Sequence, residues 1–338
     1  MWTFWAAGEL YAVAPAAKAV LRHGIQGASV SRSFLPAPHP LSLPGAAASI
    51  SVAGRAFPVK KPTFVLQFST MILFPSAKIN LGLRVTAKRT DGFHNIESVF
   101  YPVPLYDVIE FRTASEFKLT LHGKPVPGKV SENILNKTWK LLYRHFHIPP
   151  VEVCLLKNIP AGSGLGGGSA DASFFMKGLN DFFQLNITDE KLMAFATQLG
   201  SDCPFFVQNS PAFVTGRGEI VQPCNLNLSG LFLILVIPRL HLLTNTLFQR
   251  VVPEISEISV PEMVSQPVRK WQQLLSNDFE KIVFQDYPVL AKIKNQLISR
   301  NALYASMTGT GSALYGLFET NPETKMLNKY GTICKYKL

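Results

Sequence analysis

The chain reads Pro160-Ala161-Gly162-Ser163-Gly164-Leu165-Gly166-Gly167-Gly168-Ser169-Ala170, so that five of the seven residues from Gly162 to Gly168 are glycine. Glycine costs backbone entropy, and such density calls for a reason. Several backbone N–H groups converging on phosphate oxygens, with no Cβ in the way, would supply one. A helix expected from near Ser169 would add free donors and partial positive charge at its N-terminus. Three other readings fit less well. A P-loop needs Gly-Lys-Ser/Thr at its end, and Gly168-Ser169-Ala170 has no lysine. Gly162, Gly164 and Gly167 satisfy GxGxxG, but the acids nearest the expected spacing, Asp189 and Glu190, open a helix instead of ending a strand. A flexible linker does not sit between a strand and an amphipathic helix. Two charges stand out elsewhere. Lys78 lies inside an otherwise apolar strand-like run, and Asp202 directly precedes Cys-Pro-Phe-Phe-Val. Both contexts carry charge into a partly buried cleft, where an unpaired ion is expensive.

Elements that would position these groups follow from periodicity. Short β-like runs are expected at 72–74, 79–85, 99–103, 108–111, 117–121 and 151–156, with a helix over 133–145. The glycine loop follows the last of these strands, then a helix over 169–180. A second helix is expected over 188–199, with Thr188 as N-cap and Gly200 past its end. Leu231 to Ile237 reads as a buried strand, being far short of the ~18 apolar residues that span a bilayer. Residues 319–338 read as a peripheral tail.

At 338 residues, 47% apolar and 16% charged, the chain has a globular composition. Its formal charge of +11 suits a polyanionic substrate such as a nucleotide. No run of Lys/Arg interleaved with aromatics supports nucleic-acid binding. Cys154, Cys203, Cys224 and Cys334 form no CxxC pair, which argues against a zinc site or disulfide framework and for a reducing compartment. Residues 1–70 differ from the rest, with six basic residues against the single acid Glu9. They read as an extension outside the folded enzyme, or as a transit peptide. The first reading implies a bacterial cytoplasm and the second a plastid.

Pro160 through Ala170 resembles the phosphate loop of the GHMP kinases (galactose, homoserine, mevalonate and phosphomevalonate kinases). Three further segments extend the likeness in family order. Pro75-Ser76-Ala77-Lys78-Ile79-Asn80 resembles the first family motif. It leads into Arg89-Thr90-Asp91-Gly92-Phe93-His94, a form similar to the branch that acts on a cytidine diphosphate-linked methylerythritol. Gly200-Ser201-Asp202-Cys203-Pro204-Phe205-Phe206 resembles a second motif, and Ser306 to Phe318 the third, a second glycine loop with Thr308 and Thr310 where serines are more usual. The likeness covers about residues 71–318.

The resemblance implies an α+β fold of two domains with the active site in the cleft between them: 71–225 binding ATP, 226–325 forming the C-terminal domain, and 326–338 a tail. It implies ATP with Mg²⁺, Asp202 as the base for an acceptor hydroxyl, and Lys78 beside it. Nucleotide contacts fall on Pro160 to Ala170, Asn133 and Lys157, and acceptor contacts on Asn80, Phe93, His94 and Phe248. Ser169 is a candidate for phosphate or Mg²⁺. Asp171 is either a Mg²⁺ ligand or a first-turn acid stabilised by the helix dipole. The metal ligands stay open, as does the choice between monomer and homodimer. Other GHMP small-molecule kinases, and a non-catalytic GHMP-like binding protein, are the alternatives; the presence of Lys78, Asp202 and the glycine loop argues against the last.

Overall fold

Strict alternation along Val151–Lys157 buries Val151, Val153, Leu155 and Lys157 on one face, so a strand with a core beneath it is the outcome that burial favours. The computed structural model describes residues 70–338 apart from 243, 255 and 256. The extension expected over 1–70 therefore lies, but for Thr70, outside the described residues. The elements run β1 (Met71–Leu73), β2 (Ser76–Lys88), β3 (His94–Tyr106), β4 (Val108–Thr113), β5 (Lys118–Gly123), α1 (Ile134–Phe146), β6 (Val151–Lys157), α2 (Gly167–Phe182), α3 (Asp189–Thr197), α4 (Cys203–Gln208), β7 (Ala212–Thr215) and β8 (Ile220–Pro223). Next come β9 (Phe232–Pro238), α5 (Thr244–Arg250), α6 (Val260–Val264), α7 (Trp271–Leu274), α8 (Asp278–Asp286), α9 (Pro288–Ile298), β10 (Tyr304–Met307), β11 (Leu314–Phe318) and β12 (Gly331–Lys337).

Among the described residues the strands form three four-stranded sheets, ordered β1-β4-β6-β5, β2-β3-β7-β8 and β10-β11-β9-β12. Pairing is antiparallel except between β5 and β6. Helices α1, α2 and α3 cover the first sheet through Leu135, Leu142, Phe175, Leu179 and Phe195, which meet Ile109, Phe111 and Val153. In the third sheet β9 is buried on both faces, and so its sequence is one apolar run. Leu233, Leu235 and Ile237 pack against Ala77, Ile79 and Leu81 of β2. Ile234 and Val236 pack against Phe279, Leu290, Ile293 and Leu297 of α8 and α9. One core thus joins the second sheet to the third.

Two expectations need correction. The helix after the glycine run begins at Gly167, not Ser169, because Gly166 takes the left-handed conformation and acts as its N-cap. The segment expected to be a tail is instead an edge strand: β12 pairs with β9 from Gly331↔Pro238 to Lys337↔Phe232. The short alternation Ile333-Cys334-Lys335-Tyr336 is too polar to stand out in sequence, yet Ile333 joins one apolar core and Cys334 and Tyr336 the other. The expected helices over 133–145 and 188–199 appear as α1 and α3. Thr188 caps α3 by accepting from the Lys191 N–H.

Candidate active site

The glycine loop leaves β6 and enters α2. Ser163 and Leu165 turn inward and are buried, while Gly162, Gly164 and Gly166 have φ of +68°, +78° and +74°. Left-handed residues alternating with others shape the backbone into a concavity of N–H groups, the form that receives anions. Two of these glycines are required by contact. A Cβ on Gly164 would stand 2.0 Å from the carbonyl oxygen of Thr308, and one on Gly166 would meet the Phe206 ring at 2.9 Å. Gly168 is different. It lies exposed in the first turn of α2 with nothing within 4 Å of its would-be Cβ, leaving the approach to the helix N-terminus open. A second loop, 308–312, lies against the first: Ala313 N–H donates to Ser163 O at 3.1 Å, and Thr308 Oγ1 lies 3.1 Å from Gly164 O. Asn277 braces it by donating to the carbonyls of Met307 and Gly309.

Lys78 reaches the same place from β2. Its backbone N–H donates to Leu165 O at 2.9 Å, tying the strand to the glycine loop. Its Nζ lies 3.4 Å from Asp202 Oδ2, 4.4 Å from the centre of the Phe100 ring and 2.6 Å from Asn80 Oδ1. Lys78 is 2% exposed, whereas Asp202, the residue before α4, is 30% exposed. Burial pushes the Lys78 ammonium below its ordinary range, and the Asp202 carboxylate opposes that shift. The pair thus joins a solvent-reachable carboxylate to a desolvated cation whose charge it stabilises.

Asn80 stands at the wall of the same site. It lines the cavity, but its amide is committed to the protein: Oδ1 accepts from Lys78 Nζ and Gly309 N–H, and Nδ2 donates to Ser98 Oγ. Its carbonyl accepts from Tyr315 and its N–H donates to Thr308 Oγ1. Asn80 therefore orients Lys78 and fastens the second loop, and its amide oxygen is taken up by these contacts.

A cavity of about 690 Å³ joins the glycine loop, Lys78 and Asp202 to Phe93, His94 and Phe248. Phe93 and His94 stand at the β2–β3 turn, which Asp91 shapes by pairing with Arg89 and accepting from the Phe93 N–H. Phe248 comes from α5, its ring 5.4 Å from that of His94. Burial, and then the charge of Lys88, hold the His94 imidazole below its ordinary pKa. Sequence reasoning missed Arg217, whose guanidinium lies 4.8 Å over the half-exposed Phe93 ring and also lines the cavity. Its only sequence signal is Gly216-Arg217-Gly218, which reads as a turn. Thr244 also lines the cavity, and its hydroxyl meets that of Thr310, in the second glycine loop, at 2.9 Å.

Two residues expected to contact nucleotide, Asn133 and Lys157, are not among those lining this cavity. Asn133 caps α1, its side chain accepting from the Leu135 N–H. Lys157 is buried beneath the loop, where its ammonium pairs with both Asp107 and Asp171. Burial disfavours the Lys157 ammonium, but the two carboxylates outweigh it and hold its pKa up. With one ammonium between two acids, burial drives the Asp171 carboxyl well above the usual range. Asp171, buried and paired, is not placed to bind a metal from solvent. Among the described residues no group of three or more His, Cys, Asp or Glu could hold a metal, and no helix is long and apolar enough to cross a membrane.

Residues 133–216 match the family profile described as GHMP kinases N terminal domain, and 259–332 that described as GHMP kinases C terminal. The chain is 46% identical over 261 residues to the 4-diphosphocytidyl-2-C-methyl-D-erythritol kinase of Bacteroides thetaiotaomicron, covering 75% of this chain and 95% of that protein. It is 45% identical over 249 residues to the same-named protein of Parabacteroides distasonis, covering 74% and 92%. A crystal structure of 4-(cytidine 5'-diphospho)-2C-methyl-D-erythritol kinase superposes with a TM-score of 0.67 at 28% identity, over 78% of this chain and 98% of that one. Methanococcus jannaschii mevalonate kinase shares the fold, with a TM-score of 0.56 at 14% identity over 79% and 97% of the two chains. With the glycine loops, the Lys78–Asp202 pair and the aromatic end of the cavity in place, the chain belongs to the 4-diphosphocytidyl-2-C-methyl-D-erythritol kinase family of GHMP kinases.

Proposed function

We propose that this protein transfers the γ-phosphoryl group of ATP to the C2 hydroxyl of 4-diphosphocytidyl-2-C-methyl-D-erythritol, a step of non-mevalonate isoprenoid synthesis. The observation that carries this reading is that one cavity holds the anion-receiving loop, the Lys78–Asp202 pair and the Phe93–His94–Phe248 cluster. Phosphoryl transfer needs positioning and charge neutralisation more than covalent chemistry from the protein. Asp202 takes the proton of the acceptor hydroxyl, the oxygen bonds to the γ-phosphorus, and the bond from that phosphorus to the β,γ-bridging oxygen breaks as ADP leaves. Lys78 stabilises negative charge on the attacking oxygen. Loop N–H groups and the α2 N-terminus receive the ATP phosphates. Phe93, with Arg217 across its face, and Phe248 flank the cytosine, and His94 hydrogen-bonds its polar edge.

Mg²⁺ would enter on the nucleotide, taking most of its ligands from phosphate and water. Ser169 Oγ, at the third position of α2, is the loop hydroxyl able to meet it, and the ion would neutralise charge on the transferring phosphate. Residues 71–225 are read as the ATP-binding half and 226 onward as the C-terminal half. A bacterial-type cytoplasmic setting fits the bacterial relatives and the four free cysteines.

A coupled ADP-release assay with the diphosphocytidyl acceptor tests the reading, with homoserine and mevalonate as competing acceptors. Turnover confined to the diphosphocytidyl compound is expected. Equal or faster turnover of either competitor would overturn the substrate assignment.

A further inference from the structure

The base of the glycine loop is closed by three buried ionisable side chains that the transfer chemistry does not use. Asp107 stands in the β3–β4 turn and is wholly buried. Its Oδ1 accepts from the N–H groups of Asn158 and Ile159, the last residues before the loop, at 2.6 and 2.9 Å. Its Oδ2 accepts from Lys157 Nζ, at the end of β6. The same ammonium donates at 2.7 Å to Asp171 Oδ2, in the first turns of α2 and just past the loop. Lys157 Nζ also lies 3.2 Å from where a Cβ of Gly167 would be, directly under the first residue of the helix. Gly167 and Asp171 are four apart and share that helix face. One chain of hydrogen bonds therefore joins the stem that enters the loop to the stem that leaves it.

Stability alone does not account for this arrangement. Burying ions costs several kcal/mol each, and well-packed apolar side chains in place of a buried ionic group are often neutral or stabilising. Two carboxylates here share one ammonium, which leaves an unmatched negative charge or an added proton for the interior to hold. What directional hydrogen bonds supply, and apolar packing does not, is a fixed distance and angle between the two stems.

We propose that Asp107, Lys157 and Asp171 are positioning residues, a clasp that holds the phosphate loop in its nucleotide-receiving shape. None of the three touches ATP; each acts through the loop. The inference rests on the reading of that loop as the site of the ATP phosphates. Asp171→Ala cuts the tie to α2 and leaves Lys157 paired with Asp107.

The test is calorimetric titration of the full chain with MgATP, alongside steady-state kinetics. If the clasped shape falls to about a tenth of the population in Asp171→Ala, its Kd for ATP rises about tenfold, since apparent affinity scales with the competent fraction. KM for ATP follows, while KM for the acceptor and kcat at saturating ATP stay within about threefold. Asp171→Asn keeps an acceptor for Lys157 and restores most of the affinity. A lysine in direct contact with ATP gives another pattern, in which Lys157→Met weakens binding and Asp171→Ala does not. Folded Asp171→Ala that binds ATP within about twofold of wild type overturns the clasp. Should that variant fail to fold, the apolar double variant Lys157→Met/Asp171→Leu carries the same expectation and the same threshold. Wild-type protein that bound no ATP would overturn the kinase reading itself, whatever the variants did.

Discussion

On the proposed mechanism, replacing Asp202 by asparagine separates the base from everything else the site does. Asn has nearly the volume of Asp, so the residue before α4 keeps its shape while the proton acceptor is lost. A positioned general base contributes about 10²–10⁴-fold, or roughly 3–5 kcal/mol of transition-state stabilisation. Stability changes less. Asp202 is the carboxylate within 4 Å of Lys78 Nζ among the described residues, and breaking a fully buried pair costs about 3–5 kcal/mol. Asp202 is 30% exposed, so solvent screens the pair and about 1–2 kcal/mol is expected. Lys78, already below 10.5 through burial, loses the carboxylate that opposes that shift and falls further. A lysine with a lowered folded pKa favours the folded state increasingly as pH climbs from that value toward its unfolded one. The relative gain in stability on alkaline titration should therefore begin at lower pH in Asp202→Asn than in wild type. Rapid-quench single turnover with saturating MgATP and the diphosphocytidyl acceptor reads the chemical step, and calorimetry reads ATP affinity. A fall of less than about tenfold, with normal ATP binding, would remove Asp202 from the role of base.

Gly164→Ala, with φ of +78° and a Cβ driven to 2.0 Å from Thr308 O, should cost at least about 2 kcal/mol and lower the melting temperature. Gly168→Ala, with open space at its Cβ, should gain up to about 1 kcal/mol of helix stability yet bind ATP more weakly, as calorimetry would show. Phe93→Ala and Arg217→Ala should each raise the acceptor KM about tenfold and leave the ATP KM unchanged, since both groups stand at the far end of the cavity. His94 has a folded pKa below 6.5, so it is neutral at physiological pH. Acceptor KM should stay flat above that value and rise as acid protonates the ring, and His94→Gln should flatten the profile. The folded state also loses stability as pH falls below 6.5, because the unfolded chain binds that proton more readily.

Local chemistry was legible where a residue type has one physical meaning. Five glycines in seven residues admit few uses, and their place between a strand and an amphipathic helix points to phosphate binding; the structure puts the run in that place, with Gly162, Gly164 and Gly166 lining the cavity. A lysine in an apolar strand and an aspartate before Cys-Pro-Phe-Phe announced buried charge, and both line the cavity. The apolar run of β9 and the Thr188 cap of α3 were likewise readable, since burial on both faces and capping are short-range demands. Which partner each group meets was decided only in three dimensions. Asn80 could face an acceptor or the protein, and a loop 229 residues away claims its amide oxygen through the Gly309 N–H. Lys157 could reach a nucleotide or the core; alternation along β6 turns it inward, and Asp107, fifty residues earlier, receives it. Arg217 sits in the turn that its neighbouring glycines suggest, but only the second sheet brings that turn over Phe93. The strand at 331–337 has too little apolar contrast to declare itself, and pairing with β9 makes it one. Sequence spacing encodes period and propensity, whereas the choice among distant partners follows from sheet order, which depends on the packing of the whole chain.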